Sequence, residues 1–357
     1  MSEKYLFSQG LNLFCQVTLV GCSAFLVLAA PAITNFPVSK LLAETAISQD
    51  LEAASFFQQG VTRYNRQDLQ GAEYAFRQAL QRDSSLGAAR NYLGNIFMEQ
   101  NRLDIALQEY TEAIKINPNF SEAYYNLGLA LQRQGEKEAA ITAYRQSLVI
   151  DPTRVAALYN LGLVLYEQGQ VEDAIAAYQQ VINLDSTYAN AYFNLAIALQ
   201  QQGKIEPAIA SYRQVLQLDP KNATAYNNMA SLLAMHGQAS EAISVYRQSI
   251  RQNPKNASAY YNLGVTLYNQ GDIKKANGVL KRAHQEYVEQ GNIEQAQKID
   301  QLMQQIAQQN GQQQPQASQT AVQTPEPKIQ NQPETPANPS NVPISAEPQI
   351  TSTSPGQ

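Results

Sequence analysis

Small and apolar residues recur through the middle of the chain on two alternating stripes. Tyr124, Leu127, Gly128 and Leu131 form one set; after Gly135, Ala140, Tyr144 and Ser147 form the next. Steps of three and four residues put each set on one face of an α-helix, because successive residues turn by about 100°. The two-stripe unit then returns every 34 residues without insertion, as 53–86, 87–120, 121–154, 155–188, 189–222, 223–256 and 257–290. With Tyr124 at position 4 of this frame, position 8 reads Gly60, Gly94, Gly128, Gly162, Ala196, Ala230 and Gly264. Position 20 is alanine throughout: Ala72, Ala106, Ala140, Ala174, Ala208, Ala242 and Ala276. Position 24 carries Phe76, Tyr110, Tyr144, Tyr178, Tyr212, Tyr246 and Leu280.

Each unit therefore reads as two amphipathic helices packed on one another. Small residues at positions 8 and 20 let the backbones approach, and rings at 4 and 24 fill the space between layers. Gly135, Gly169, Gly203, Gly237 and Gly271 mark the end of the first helix, where a left-handed residue carries no Cβ penalty. Pro118, Pro152, Pro220 and Pro254 stop the second helix. Pro207 falls in the first turn of its helix, where a missing N–H costs little. The end units depart from the pattern as caps of a stack do: Gln59, Arg63 and Ser84 make the first more polar, and Val288 replaces the last proline, so that helix is expected to run on to Gln290. Beyond Gly291, the spacing of Ile293, Ala296, Ile299, Leu302 and Ile306 predicts one capping helix over 292–309.

The seven in-phase units resemble the tetratricopeptide repeat (TPR) family over the whole of 53–290. The resemblance implies an all-α fold, a right-handed α-solenoid of antiparallel helix pairs with fourteen repeat helices and a cap. It also implies a concave groove, lined by the first helices, that takes protein partners or extended peptides. With positions 4, 7, 8 and 11 in the core, positions 2, 6, 9 and 13 are expected to point away from it, flanked by 5 and 12. Position 6 carries five successive asparagines, Asn126, Asn160, Asn194, Asn228 and Asn262. Position 5 adds Tyr125, Tyr159, Phe193 and Tyr261. Asparagine is a mediocre helix former, and its amide pairs with a peptide backbone whatever the side-chain sequence. These nine residues are the candidate partner-binding groove, and the ladder resembles that of the O-GlcNAc transferase superhelix. The alternative is that the asparagines bond only to neighbouring helices. The cochaperone type of carboxylate clamp does not fit, since Arg133 is the one basic residue at positions 2, 5, 6, 9, 12 and 13.

The flanks differ in character. An apolar run from Leu11 to Ala32 is long enough to cross a bilayer and ends in Ala30-Pro31-Ala32, spaced like a signal cleavage site. Three readings of 1–32 stand: a cleaved export signal, a retained membrane anchor, and a lipoprotein leader in which Leu19-Val20-Gly21-Cys22 resembles a lipobox and Cys22 is the lipidation site. Residues 33–52 read as a linker. Nine of the sixteen prolines fall in 310–357 among Gln, Ser and Thr, so this tail is expected to be disordered.

Composition narrows the chemistry. The chain has two His and two Cys, and both Cys15 and Cys22 lie in the apolar run. That leaves no disulfide framework and no metal site, and no phosphate loop or nucleophile–base arrangement is present. His236 and His284 read as surface or partly packed side chains. The sequons at Asn119, Asn222 and Asn256 fall at repeat joints and read as by-products of the repeat. Lys plus Arg and Asp plus Glu each number 21 over 53–290, which is no footprint for nucleic acid. The expected function is a non-enzymatic protein-interaction scaffold with no cofactor, touching a membrane only through 1–32. It is expected to be exported or membrane-anchored, in a bacterial periplasm or membrane. The alternatives are an envelope or photosynthetic-membrane assembly factor, or the regulatory subunit of a separate enzyme such as a glycosyltransferase.

Overall fold

The computed structural model describes residues 50–312, with side chains through Gln308. The readings of 1–32, including Cys22, and of the tail beyond Gln312 lie outside the described residues, as does nearly all of the 33–52 linker. Among the described residues the chain forms fifteen α-helices and no strand. In order they are α1 (Leu51–Asn65), α2 (Leu69–Arg82), α3 (Gly87–Glu99), α4 (Leu103–Ile116), α5 (Ser121–Gln134), α6 (Lys137–Ile150), α7 (Val155–Glu167) and α8 (Val171–Leu184). Then follow α9 (Ala189–Gln201), α10 (Ile205–Leu218), α11 (Ala223–Met235), α12 (Ala239–Gln252), α13 (Ala257–Asn269), α14 (Ile273–Glu289) and α15 (Ile293–Gln312). Odd-numbered α1–α13 are the first helices of the repeats and even-numbered α2–α14 the second; α15 caps the stack.

Every helix packs mainly on its chain neighbours, and successive first helices also touch, as α3 does α5 and α11 does α13. This is an α-solenoid, in which a repeat meets only the repeats beside it. Tyr110, Tyr144, Tyr178, Tyr212 and Tyr246 on the second helices are fully buried. Each lies against position 8 of its own repeat: a Cβ added at Gly128 would come within 2.6 Å of the Tyr144 ring. Ala196 and Ala230 show that the ring can give way, since both positions are fully buried with a tyrosine beside them in the same pattern.

Helix ends are set by two local devices. The turn inside each repeat needs a left-handed residue: Gly135, Gly169, Gly203, Gly237 and Gly271 have φ between +72° and +88°, and Gln67 and Asn101 adopt +62° and +58° at the same position. The joint between repeats is an Asx turn that proline spacing did not reveal. The side chains of Asp83, Asn117, Asp151, Asp185, Asp219 and Asn253 each accept from the backbone N–H two residues on. It forms whether the intervening residue is proline or, as at Ser84 and Ser186, serine. The last second helix runs without a proline to Glu289, and the cap reaches Gln312, three residues past its expected end.

Candidate functional site

The asparagine ladder was expected on an exposed face; the structure places it elsewhere. Asn160, Asn194, Asn228 and Asn262 are at most 4% exposed, and Asn126 is half-buried. The reason is that each first helix is packed on two sides. Positions 4, 7, 8 and 11 meet the second helix of the same repeat, while positions 3 and 10 turn the other way, into the preceding repeat, with position 6 beside them. Ala89, Ala123, Ala157, Ala191, Ala225 and Ala259 at position 3 are fully buried. The first repeat has no predecessor among the described residues. There the same face, Ser55, Gln58 and Thr62, opens onto a crevice with Arg63 and Asp68. The alanine at position 3 of every repeat but the first was the sequence signal for this second packed stripe.

Hydrogen bonds show what the ladder does. Asn160 Nδ2 donates to the Tyr125 hydroxyl at 3.3 Å and Asn194 Nδ2 to the Tyr159 hydroxyl at 2.9 Å. Asn126 Nδ2 donates to Asn91 Oδ1 at 3.0 Å. Position 6 of one repeat is thus tied to position 5 of the repeat before it. Burial pushes the Tyr159 hydroxyl well above the usual tyrosine range, the neighbouring Tyr188 adds to this, and the Asn194 bond works against it. Tyr125 and Tyr159 are buried; Phe193 and Tyr261 are half-buried.

The strut fails in two consecutive repeats. Before Asn228 stands Phe193, which has no hydroxyl, and Asn228 Oδ1 is a buried acceptor without a partner. Before Asn262 stands Asn227, fully buried, with both its amide atoms unpartnered. Asn262 keeps a contact of 3.3 Å to Ser231 Oγ, and its own Oδ1 is unpartnered.

What remains open on the first helices is a narrow set of residues at positions 2 and 13, with Ala88 the buried exception. Position 2 carries Ala54, Ala88, Glu122, Ala156, Asn190, Thr224 and Ser258; position 13 carries Asn65, Glu99, Arg133, Glu167, Gln201, Met235 and Asn269. Glu99 accepts from the Tyr64 hydroxyl across the first two repeats. Glu167 pairs with Lys137 at 3.0 Å. At the turn edge a second series of pins joins repeats: Gln134 to Asp104, Gln168 to Glu138, Gln202 to Glu172, and His236 to Glu206. A second crevice lies between α6 and α8, floored by Leu158, Leu161 and Leu165 and rimmed by Arg145 and Asp173, 3.7 Å apart. It opens where Leu158 stands in place of the tyrosine found at position 4 of four other repeats.

Among the described residues no group of three or more His, Cys, Asp or Glu side chains is placed to hold a metal ion. No helix of the described residues is long and apolar enough to cross a membrane.

Among solved structures, the C-terminal part of a TPR repeat-containing protein from Cytophaga hutchinsonii is similar, with a TM-score of 0.56 at 19% identity over 64% of this chain and 93% of that one. A tetratricopeptide repeat protein from Parabacteroides merdae gives 0.49 at 20% identity, covering 72% of this chain and 100% of that one. The protein MamA gives 0.44 at 26% identity, covering 48% and 94%. No curated protein matches the chain significantly. The family described as TPR repeat matches 94–135, 133–169, 163–203, 198–237 and 236–271, and the tetratricopeptide repeat description matches 258–289. With more than half its length so matched and its helices paired in the same 34-residue frame, the chain belongs to the tetratricopeptide repeat family.

Proposed function

We propose that the protein is a non-enzymatic scaffold that holds partner proteins or extended peptides along the open strip of its first helices. The observation that carries this reading is the contrast between packed and open positions. Position 20 is alanine in all seven repeats, and position 3 is alanine in six. Positions 2 and 13 vary along the array in charge, size and polarity. A stack needs uniform contacts, whereas a surface that recognises one partner in one register needs a different residue at each step.

The test is affinity capture from cross-linked membranes with the full chain. A variant combining Arg133→Ala, Gln201→Ala and Met235→Ala is expected to keep its thermal midpoint and to lose the co-captured protein set. Tyr74→Ala with Val149→Ala, exposed positions on second helices, is expected to keep it. Unchanged capture by the strip variant overturns the proposal.

We further propose that residues 1–32 direct the chain to export or hold it at a membrane, on the strength of the Leu11–Ala32 run. A mature start at Ile33 identifies cleavage, retention of 1–32 in membranes identifies an anchor, and a lipid adduct on Cys22 identifies a lipoprotein. A free cytoplasmic full-length chain contradicts all three.

A further inference from the structure

Position 4 of the repeat frame carries a long side chain with a flat end in six repeats: Phe56, Arg90, Tyr124, Tyr192, Tyr226 and Tyr260. All six are half-buried, so their ends reach the surface, whereas Leu158 in the fourth repeat is 4% exposed and stops beneath it. Arg90 is held there by Glu109 at 2.9 Å. The crevice over Leu158 follows from this shortfall. Leucine ends where a tyrosine ring begins to widen, and the difference stays open between α6 and α8.

The floor of the crevice is closed and its walls are open. Leu158, Leu161 and Leu165 are nearly buried at the bottom, whereas Pro152, Ala176 and Gln180 are exposed at the sides and Leu148 is half-buried. The space amounts to about 290 Å³. Pockets for free ligands of drug size run from roughly 300 to 1,000 Å³, while an apolar cavity of about 150 Å³ already takes a benzene ring. The crevice therefore has room for one ring and little more.

The rim carries both charges. Arg145 on α6 and Asp173 on α8 are more than half exposed and stand 3.7 Å apart. Such a pair adds little to stability and parts readily. A charged ligand of either sign is repelled by one of the two. A neutral peptide unit suits both, because its carbonyl accepts from the guanidinium and its N–H donates to the carboxylate.

We propose that this crevice docks a tyrosine side chain of a partner protein, taken in where the fourth repeat lacks a ring of its own, while the backbone beside that tyrosine bridges Arg145 and Asp173. Four other repeats fill the corresponding place with tyrosine, which sets the shape of the occupant. Gln180 at the rim offers an amide to the phenol hydroxyl. The site lies on the side of the second helices, apart from positions 2 and 13, so the two surfaces are tested by different substitutions.

The experiment titrates the full chain with two probes, read by saturation-transfer NMR. One is p-cresol, the ring alone; the other is N-acetyl-L-tyrosine methylamide, the ring with a peptide unit on each side. Both are expected to bind saturably in the millimolar range, the second several-fold tighter. Leu158→Tyr supplies the missing ring and is expected to weaken both by about ten-fold or more, with a thermal midpoint unchanged or higher. Ala176→Tyr, at an exposed wall position, covers the crevice without entering the core and serves as the independent second variant. Asp173→Ala is expected to weaken the amide probe several-fold and to leave p-cresol unchanged. Absence of saturable binding to the parent overturns the proposal. So does binding that survives both tyrosine variants, or an amide probe indifferent to Asp173→Ala. Sedimentation of the full chain tests the other occupant. Self-association that is lost both in Leu158→Tyr and in Tyr74→Ala, whose ring is 64% exposed, would assign the crevice to a second copy and overturn it as a partner site.

Discussion

Five tyrosines share one position and one degree of burial, yet their hydroxyls differ. Tyr110 donates to Asn95 at 2.8 Å, Tyr144 to Gln132 at 2.7 Å and Tyr246 to Ser231 at 3.0 Å. The Tyr178 hydroxyl is buried without a hydrogen-bond partner, whereas the Tyr212 hydroxyl has the Asn228 amide beside it. Removing a hydroxyl that is bonded leaves a buried acceptor behind, while removing an unbonded one takes away only a desolvation cost. Tyr110→Phe is therefore expected to lower stability by about 0.5–1.5 kcal/mol, and Tyr178→Phe to leave it unchanged or raise it. Urea unfolding of the two variants checks this, and equal losses would mean that the ring alone matters at both sites. The frame had marked position 24 as core. At position 9 of the same repeat, Asn95 and Ser231 supply the partner of Tyr110 and Tyr246, whereas Leu163 and Ile197 stand there beside Tyr178 and Tyr212; Tyr144 reaches Gln132 at position 12 instead.

At the scale of the helix, the turn inside each repeat gives a clean comparison. Five repeats use glycine with positive φ; the first two use Gln67 and Asn101 in the same conformation. A left-handed conformation costs a residue with a Cβ roughly 1–2 kcal/mol, less for asparagine. Gln67→Gly is expected to stabilise by about 0.5–1 kcal/mol after the extra freedom of glycine in the unfolded chain is set against it. Asn101→Gly is expected to gain less. A Gln67→Gly midpoint at or below the parent would contradict the assignment of strain to this residue. Helix number, pairing and the stripes at 4, 7, 8, 11, 20 and 24 were all legible in the sequence, because they rest on contacts within one repeat at helical spacing. The stripe at 3, 6 and 10 was not. It is made by the preceding repeat, and its alanines and asparagines look the same in isolation as residues on an open face. The Asx turns at the joints were hidden for a related reason: proline at position 32 drew attention from the residue before it, whose side chain closes the turn.

For the molecule as a whole, the buried tyrosines link stability to alkaline pH. Burial pushes Tyr110, Tyr144, Tyr178, Tyr212 and Tyr246 above the usual range of about 10, so the folded state holds their protons more tightly than the unfolded one. The stabilisation is complete below the unfolded value and is lost as pH rises through and beyond it. Each ring removes up to about 1.4 kcal/mol per pH unit, so five acting together cannot be withstood for long. Phenolate absorbance of these rings is expected to appear in one cooperative step with loss of helical circular dichroism above about pH 10. Gradual titration with the helices intact would contradict the burial. The central claim, though, concerns the asparagine ladder: where a tyrosine precedes it, the asparagine belongs to the stack. A double-mutant cycle on Tyr159→Phe and Asn194→Ala measures this directly, because it isolates the coupling between the two side chains from the cost of each truncation. The strut account predicts a coupling of about 0.5–1.5 kcal/mol in urea unfolding of the full chain. Additive losses, with no coupling beyond about 0.3 kcal/mol, would contradict it and return Asn194 to the pool of residues free to meet a partner.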